Sequence, residues 1–189
     1  MSALRRAVFL DRDGVLVVPL FRDGRSFAPT KLQEYSIYPE AVRCVSRLKE
    51  ASFLVVVVSN QPDVGAGRMD RSVLDEMHAR LRAAMPLDAI RVCCHTREQR
   101  CACRKPLPGM LFDVAGELRI DLSLSIMVGD RASDVEAGAA AGCRTVFVDL
   151  GYTSEPRPAS PDRVVSSLGE ATDWILSIEP EVEGATWKT

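Results

Sequence analysis

Residues 53–58 read FLVVVV, an unbroken apolar run dominated by valine. A strand with one wet face alternates apolar and polar residues, so a run without alternation has to be covered on both faces. β-Branched residues favour a strand over a helix, and the run is far too short to span a membrane. A chain built around it needs a parallel sheet with helices on either side. Short β-branched runs at 7–10, 89–93, 125–128, 145–148 and 163–165 supply further strands. Helical stretches lie between several of them, which is the alternation of βαβ units.

The helix candidates follow from apolar spacing. Segment 39–51 carries Val42, Val45 and Leu48 on one side, with Pro39 at a favoured first helical position. Segment 70–85 spaces Leu74, Met77 and Leu81 behind Asp70 as N-cap, and 108–119 and 133–141 follow the same logic. Gly142 closes the last of these. Stripes of Leu and Met at this spacing are core-facing and receive no function. Segments 19–38 and 152–161 fall outside the alternation and are expected as surface loops; the first leaves directly after a strand end rich in Asp, where it can partly cover the site. A length of 189 residues suits one domain, expected over 1–178, with a tail at 179–189.

A net charge of −2 with Lys and Arg scattered among acids gives no basic track for a nucleic-acid backbone. No stretch reaches the apolar length of a membrane helix, and the start lacks a cleavable signal pattern, so a cytoplasmic monomer is expected. In a reducing compartment, a crowd of cysteines signals metal ligation before disulfides.

Chemistry concentrates at strand ends. In AVFLDRDGV the apolar strand delivers Asp11 and Asp13 to its carboxyl end, where open α/β sheets place ligands, and Gly14 permits a sharp turn. A carboxylate can attack phosphorus if a divalent cation neutralises the meeting of two anions. Asp11 is thus both candidate nucleophile and magnesium ligand, and Asp13 is the candidate acid and base. The 53–58 strand runs into Ser59, Asn60 and Gln61, whose hydroxyl and amides can hold phosphoryl oxygens. CRKP presents Arg104 and Lys105 before a helix start, with Lys105 as counter-charge for a transferring phosphoryl group. In SIMVGDRASD, Asp130 is placed to complete a magnesium shell and Asp134 to support it from behind.

Taken in order, DRDGV, SNQ, RKP and GDRASD resemble the four motifs of the haloacid-dehalogenase-like phosphohydrolases. NQ after the second strand and a C-x-H…C-x-C-R-K-P loop are similar to the zinc-containing small phosphatases, the heptose-bisphosphate phosphatases and the histidinol-phosphatase domains. The resemblance implies a Rossmann-like, doubly wound sheet without a large cap domain. It also implies magnesium held by Asp11, the Asp13 backbone carbonyl and Asp130, phosphate contacts from Ser59 and Lys105, and substrate contacts from Asn60, Arg104 and Arg131.

Cys93, His95, Cys101 and Cys103 form C-x-H-x5-C-x-C, the complete ligand set of a closed tetrahedral zinc site. Such a metal pins the loop that presents Arg104 and Lys105 and takes no part in hydrolysis. Cys94 is an alternative to Cys93. Cys44 and Cys143 are expected in the core, and His78 is expected on an exposed helix face.

Among other classes, a signalling receiver domain would keep its aspartyl-phosphate, which a second acid at Asp13 would hydrolyse. A zinc-stabilised binding module needs none of Asp11, Asp13, Ser59, Lys105 and Asp130. A nucleic-acid end phosphatase needs an extended basic track. Two guanidinium groups, Arg104 and Arg131, suit a second phosphate, which favours a sugar bisphosphate, with histidinol phosphate as the alternative.

Overall fold

The computed structural model describes residues 4–178. Strands β1 (Ala7–Leu10), β4 (Leu54–Asn60), β5 (Ala89–Cys93), β6 (Ile126–Gly129), β7 (Arg144–Val148) and β8 (Arg163–Val165) form one parallel sheet in the order β5-β4-β1-β6-β7-β8. The long apolar run sits next to β1, with Leu10 opposite Val57 on one side and Val128 on the other. From β1 the chain winds first toward β5 and then back toward β8. Reversal of winding opens a crevice at the carboxyl ends of the central strands. The expected strand at 53–58 reaches two residues further, so Ser59 and Asn60 belong to β4.

Alternation along β1 divides the interior. Val8 and Leu10 face one core with Val55, Val57 and Leu81; Ala7 and Phe9 face another with Val56, Val58, Met110 and Leu111. The first layer is covered by α1 (Ala41–Glu50), by the end of α3 (Arg71–Ala84) and by α6 (Leu168–Ser177), which contribute Leu48, Leu81 and Ile175. The second is covered by α4 (Gly109–Leu118) and α5 (Ala132–Ala140). A short α2 (Pro62–Gly65) follows β4. Among the described residues no helix is long and apolar enough to cross a membrane.

Several local expectations change. In α1, which begins after Pro39 and Glu40, the buried stripe is Ala41, Cys44, Val45 and Leu48; Val42, about 100° round the helix from Ala41, is exposed. Asp70 occupies the N-cap of α3 but its side chain makes no cap bond. Gly142 does follow α5 in the left-handed region, at φ +82. Segment 19–38 holds a hairpin, β2 (Leu20–Arg22) paired with β3 (Arg25–Phe27), turning through Asp23 and Gly24 at positive φ. Helix α6, unexpected from the sequence, starts at Ser167, whose hydroxyl accepts from Glu170 N–H. The expected tail at 179–189 lies outside the described residues.

Candidate active site

The ends of β1, β4 and β6 bring Asp11, Ser59 and the start of the Asp130 turn to one edge. Asp11, Asp130 and Asp134 place carboxylate oxygens within 4.8 Å of one another, and all three are buried. Lys105 enters this cluster from the loop before α4. Its ammonium donates to Asp11 Oδ1 at 2.7 Å and to the Val58 carbonyl at 2.7 Å, and pairs with Asp134 Oδ1 at 2.6 Å. Burial pulls Lys105 toward neutrality, but the charges of Asp11 and Asp134 outweigh it and hold the ammonium charged.

One buried ammonium faces three carboxylates, so negative charge is in excess. Burial, then Asp11 and Asp134, push Asp130 well above the carboxylate range. Burial also raises Asp134, to about 6, against the pull of Lys105. Oδ1 of Asp130 is buried without a hydrogen-bond partner among the described residues. A hard divalent cation fits this donor set, since it takes carboxylate oxygens and cancels the excess charge. Asp134, expected to support from behind, is a member of the cluster itself; its Oδ2 accepts from Arg131 N–H at 3.0 Å.

Glycine is required beside this cluster. The turn after Asp13 puts Gly14 at φ +97, and a Cβ there would lie 2.1 Å from Asp130 Oδ2.

Asp13 keeps different company. Arg12 Nε donates to both of its oxygens, at 3.0 and 3.1 Å, and Gln61 Nε2 donates to Oδ2 at 2.6 Å and to Ser59 Oγ at 2.9 Å. Burial raises Asp13 and Arg12 opposes the rise. Arg12 is fully buried, lying 6.0 Å from the Tyr35 ring centroid and 3.9 Å from the Met77 sulfur. The sequence did not mark it, because an Arg in a D-x-D turn looks like a solvated residue.

Asn60 holds Lys105 in place. Its amide nitrogen donates to the Lys105 carbonyl at 3.0 Å and its oxygen accepts from Lys105 N–H at 3.1 Å. Both remaining basic residues have protein partners: Arg104 donates to the His95 carbonyl, and Arg131 donates to the Ser26 carbonyl and hydroxyl, each at 2.7 Å.

The sulfurs of Cys93, Cys101 and Cys103 and a ring nitrogen of His95 also lie within 4.8 Å of one another. Cys93 Sγ is 3.5 Å from His95 Nδ1 and 3.6 Å from Cys101 Sγ, and Cys103 Sγ is 3.3 Å from His95 Nδ1. Zinc bonds of about 2.0–2.3 Å give a tetrahedron with edges of roughly 3.3–3.8 Å, so these atoms fit that ion. Cys94 is not in this group; strand alternation turns it toward Leu74 and Met77. His78 is half-buried, not exposed, and its buried Nε2 has no partner among the described residues. Burial and Arg12 bring its pKa down to about 4.

Comparisons with known proteins agree with this geometry. Residues 102–171 match the HAD-hydrolase-like family model. A D-glycero-beta-D-manno-heptose-1,7-bisphosphate 7-phosphatase of Bordetella bronchiseptica is 34% identical over 151 residues, 77% of this chain and 82% of the relative. The chain belongs to the haloacid-dehalogenase-like hydrolases. Its relatives at this identity are phosphatases, and the chain is a phosphoric monoester hydrolase. The alpha-heptose enzyme of Mycobacterium tuberculosis is 36% identical over 152 residues, with 75% of this chain and 78% of that relative covered. The crystal structure of D,D-heptose 1,7-bisphosphate phosphatase from B. bronchiseptica with magnesium and phosphate superposes with a TM-score of 0.75 at 31% identity, covering 90% of this chain and 98% of that one.

Proposed function

We propose that this hydrolase removes the 7-phosphate of a D-glycero-D-manno-heptose 1,7-bisphosphate through an aspartyl-phosphate on Asp11. The observation that carries the chemistry is the contact of Lys105 with Asp11 inside a buried cluster of three carboxylates. An Asp11 oxygen attacks phosphorus and the ester P–O bond breaks, while Asp13 gives a proton to the departing alkoxide. Asp13 then takes a proton from the water that attacks phosphorus, and the bond to Asp11 breaks, releasing inorganic phosphate. Lys105 and the Ser59 hydroxyl offset charge on the phosphoryl oxygens. The raised pKa of Asp13, caused first by its burial, supports its acid role. Magnesium, held by Asp11, the Asp13 carbonyl and Asp130, would supply the positive charge that lets a carboxylate approach a phosphate.

Zinc held by Cys93, His95, Cys101 and Cys103 is structural, with every ligand supplied by the protein. It steadies the loop that carries Arg104 and Lys105. Cysteines committed to a metal in place of disulfides suit a reducing, cytoplasmic setting. Gln61, Arg104 and Arg131 are the substrate-side candidates, together with Asn60 through Lys105. The substrate is a small phosphorylated sugar, with neither nucleic acid nor membrane as partner, and the chain acts as a monomer.

Phosphate release should be measured with magnesium on both anomers of the heptose bisphosphate, histidinol phosphate and a 5′-phosphorylated oligonucleotide. A heptose bisphosphate is expected to give the highest kcat/KM. Preference for histidinol phosphate or the oligonucleotide would overturn the substrate assignment.

A further inference from the structure

The two oxygens of Asp130 are in different circumstances. Oδ2 accepts from the Tyr152 hydroxyl at 2.7 Å, whereas Oδ1 is buried with no donor among the described residues. Gly14 leaves the room that Oδ2 needs beside that hydroxyl. We propose that Tyr152 is a positioning residue for divalent-cation binding: its hydroxyl engages Oδ2, which leaves Oδ1 as the ligand atom of Asp130. Partners of metal ligands fix ligand orientation in this way and weaken metal binding when lost.

Tyr152 is itself held on both sides. Its ring stacks on Phe21 of the hairpin, with centroids 5.9 Å apart and planes at 23°. Beyond it, Ser154 N–H donates to the Gly24 carbonyl at 3.0 Å, and Glu155 Oε1 accepts from Ser26 N–H at 3.1 Å. Arg131, next to Asp130, reaches the same Ser26. The hairpin and segment 152–155 therefore form one seat, and the tyrosine hydroxyl carries that seat to the cation site.

The inference rests on the proposed magnesium site, and a calorimetric titration of Mg2+ into the full chain separates the two. Tyr152→Phe keeps the ring and its stack and loses the hydroxyl; Mg2+ is expected to bind about tenfold more weakly. Its kcat at saturating Mg2+ should stay within about twofold of the wild type, a split that a general loss of structure would not produce. Phe21→Ala keeps the hydroxyl and loosens the ring, with an expected loss of about threefold. If Tyr152→Phe does not fold, Phe21→Ala carries the test, and unchanged affinity there overturns the proposal. Wild type and Tyr152→Phe binding Mg2+ equally well would overturn this inference alone. A wild-type chain that binds no Mg2+ would overturn the magnesium site and the inference together.

Discussion

Asp11 and Asp13 leave the same strand end and are equally buried, yet they sit in opposite electrostatic surroundings. Asp11 lies among carboxylates with Lys105 as its cation, a place with negative charge in excess. Asp13 is enclosed by donors, a fully buried guanidinium and an amide. The first environment suits cation binding and attack on phosphorus; the second suits holding a carboxyl while protons pass through it. Two residues of separation are enough because the chain leaves β1 after Leu10, and the two side chains meet different partners, Lys105 for Asp11 and Gln61 for Asp13.

Removing the proposed nucleophile tests this contrast most severely. Asp11→Asn should lower kcat by on the order of 10⁴-fold or more, since an amide is a poor nucleophile. Asp13→Asn should cost about 10²–10⁴-fold, the usual range for a lost acid–base group. Steady-state phosphate release distinguishes them, and comparable losses would erase the division of labour.

Arg12→Met sharpens the comparison through stability. Taking away one member of a buried ion pair costs about 3–5 kcal/mol, read from urea unfolding. A loss under ~1 kcal/mol would mean that Arg12 contributes little to the fold.

Asn60→Ala addresses the other side. With its two bonds to the Lys105 backbone gone, kcat should fall roughly 10- to 100-fold, by analogy with lost orienting groups. Stability should change by about 1–2 kcal/mol. Unchanged kcat would show that Lys105 holds its position without Asn60.

The last effect is a pH dependence beside Arg12. His78 has its pKa lowered from 6.5 to about 4 in the folded chain, so the unfolded chain takes up the proton first as pH falls. Stability is therefore lost between pH 6.5 and 4, by roughly 2 kcal/mol after allowing for partial exposure. Urea unfolding of His78→Gln at both pH values should show a correspondingly smaller acid loss than the wild type.

The sheet was legible in the sequence because its strands are apolar on both faces, a pattern local enough to read from 53–58 alone. Asp11, Asp13, Ser59, Lys105 and Asp130 were legible because each stands at the end of such a run or against a helix start. Hairpin β2–β3 was hidden: its short strands are mostly exposed and carry no periodic signal. Helix α6 is not legible in the sequence although Ser167 and Glu170 mark its start, since the weak strand before it offers little context. Tyr152 looked like one residue of a Pro- and Ser-rich loop.

The amino-acid order alone determined the α/β class, the strand-end acids and the clustered Cys and His set, because these depend on neighbours along the chain. Tertiary structure decided that Arg12 is buried on Asp13, that Asn60 holds Lys105 and that Tyr152 reaches Asp130. Each of the last two joins segments more than twenty residues apart, and the first depends on Tyr35 and Met77 closing over a side chain that the turn alone would leave in water. Which charge is buried, and against what, is a property of packing that no local pattern encodes.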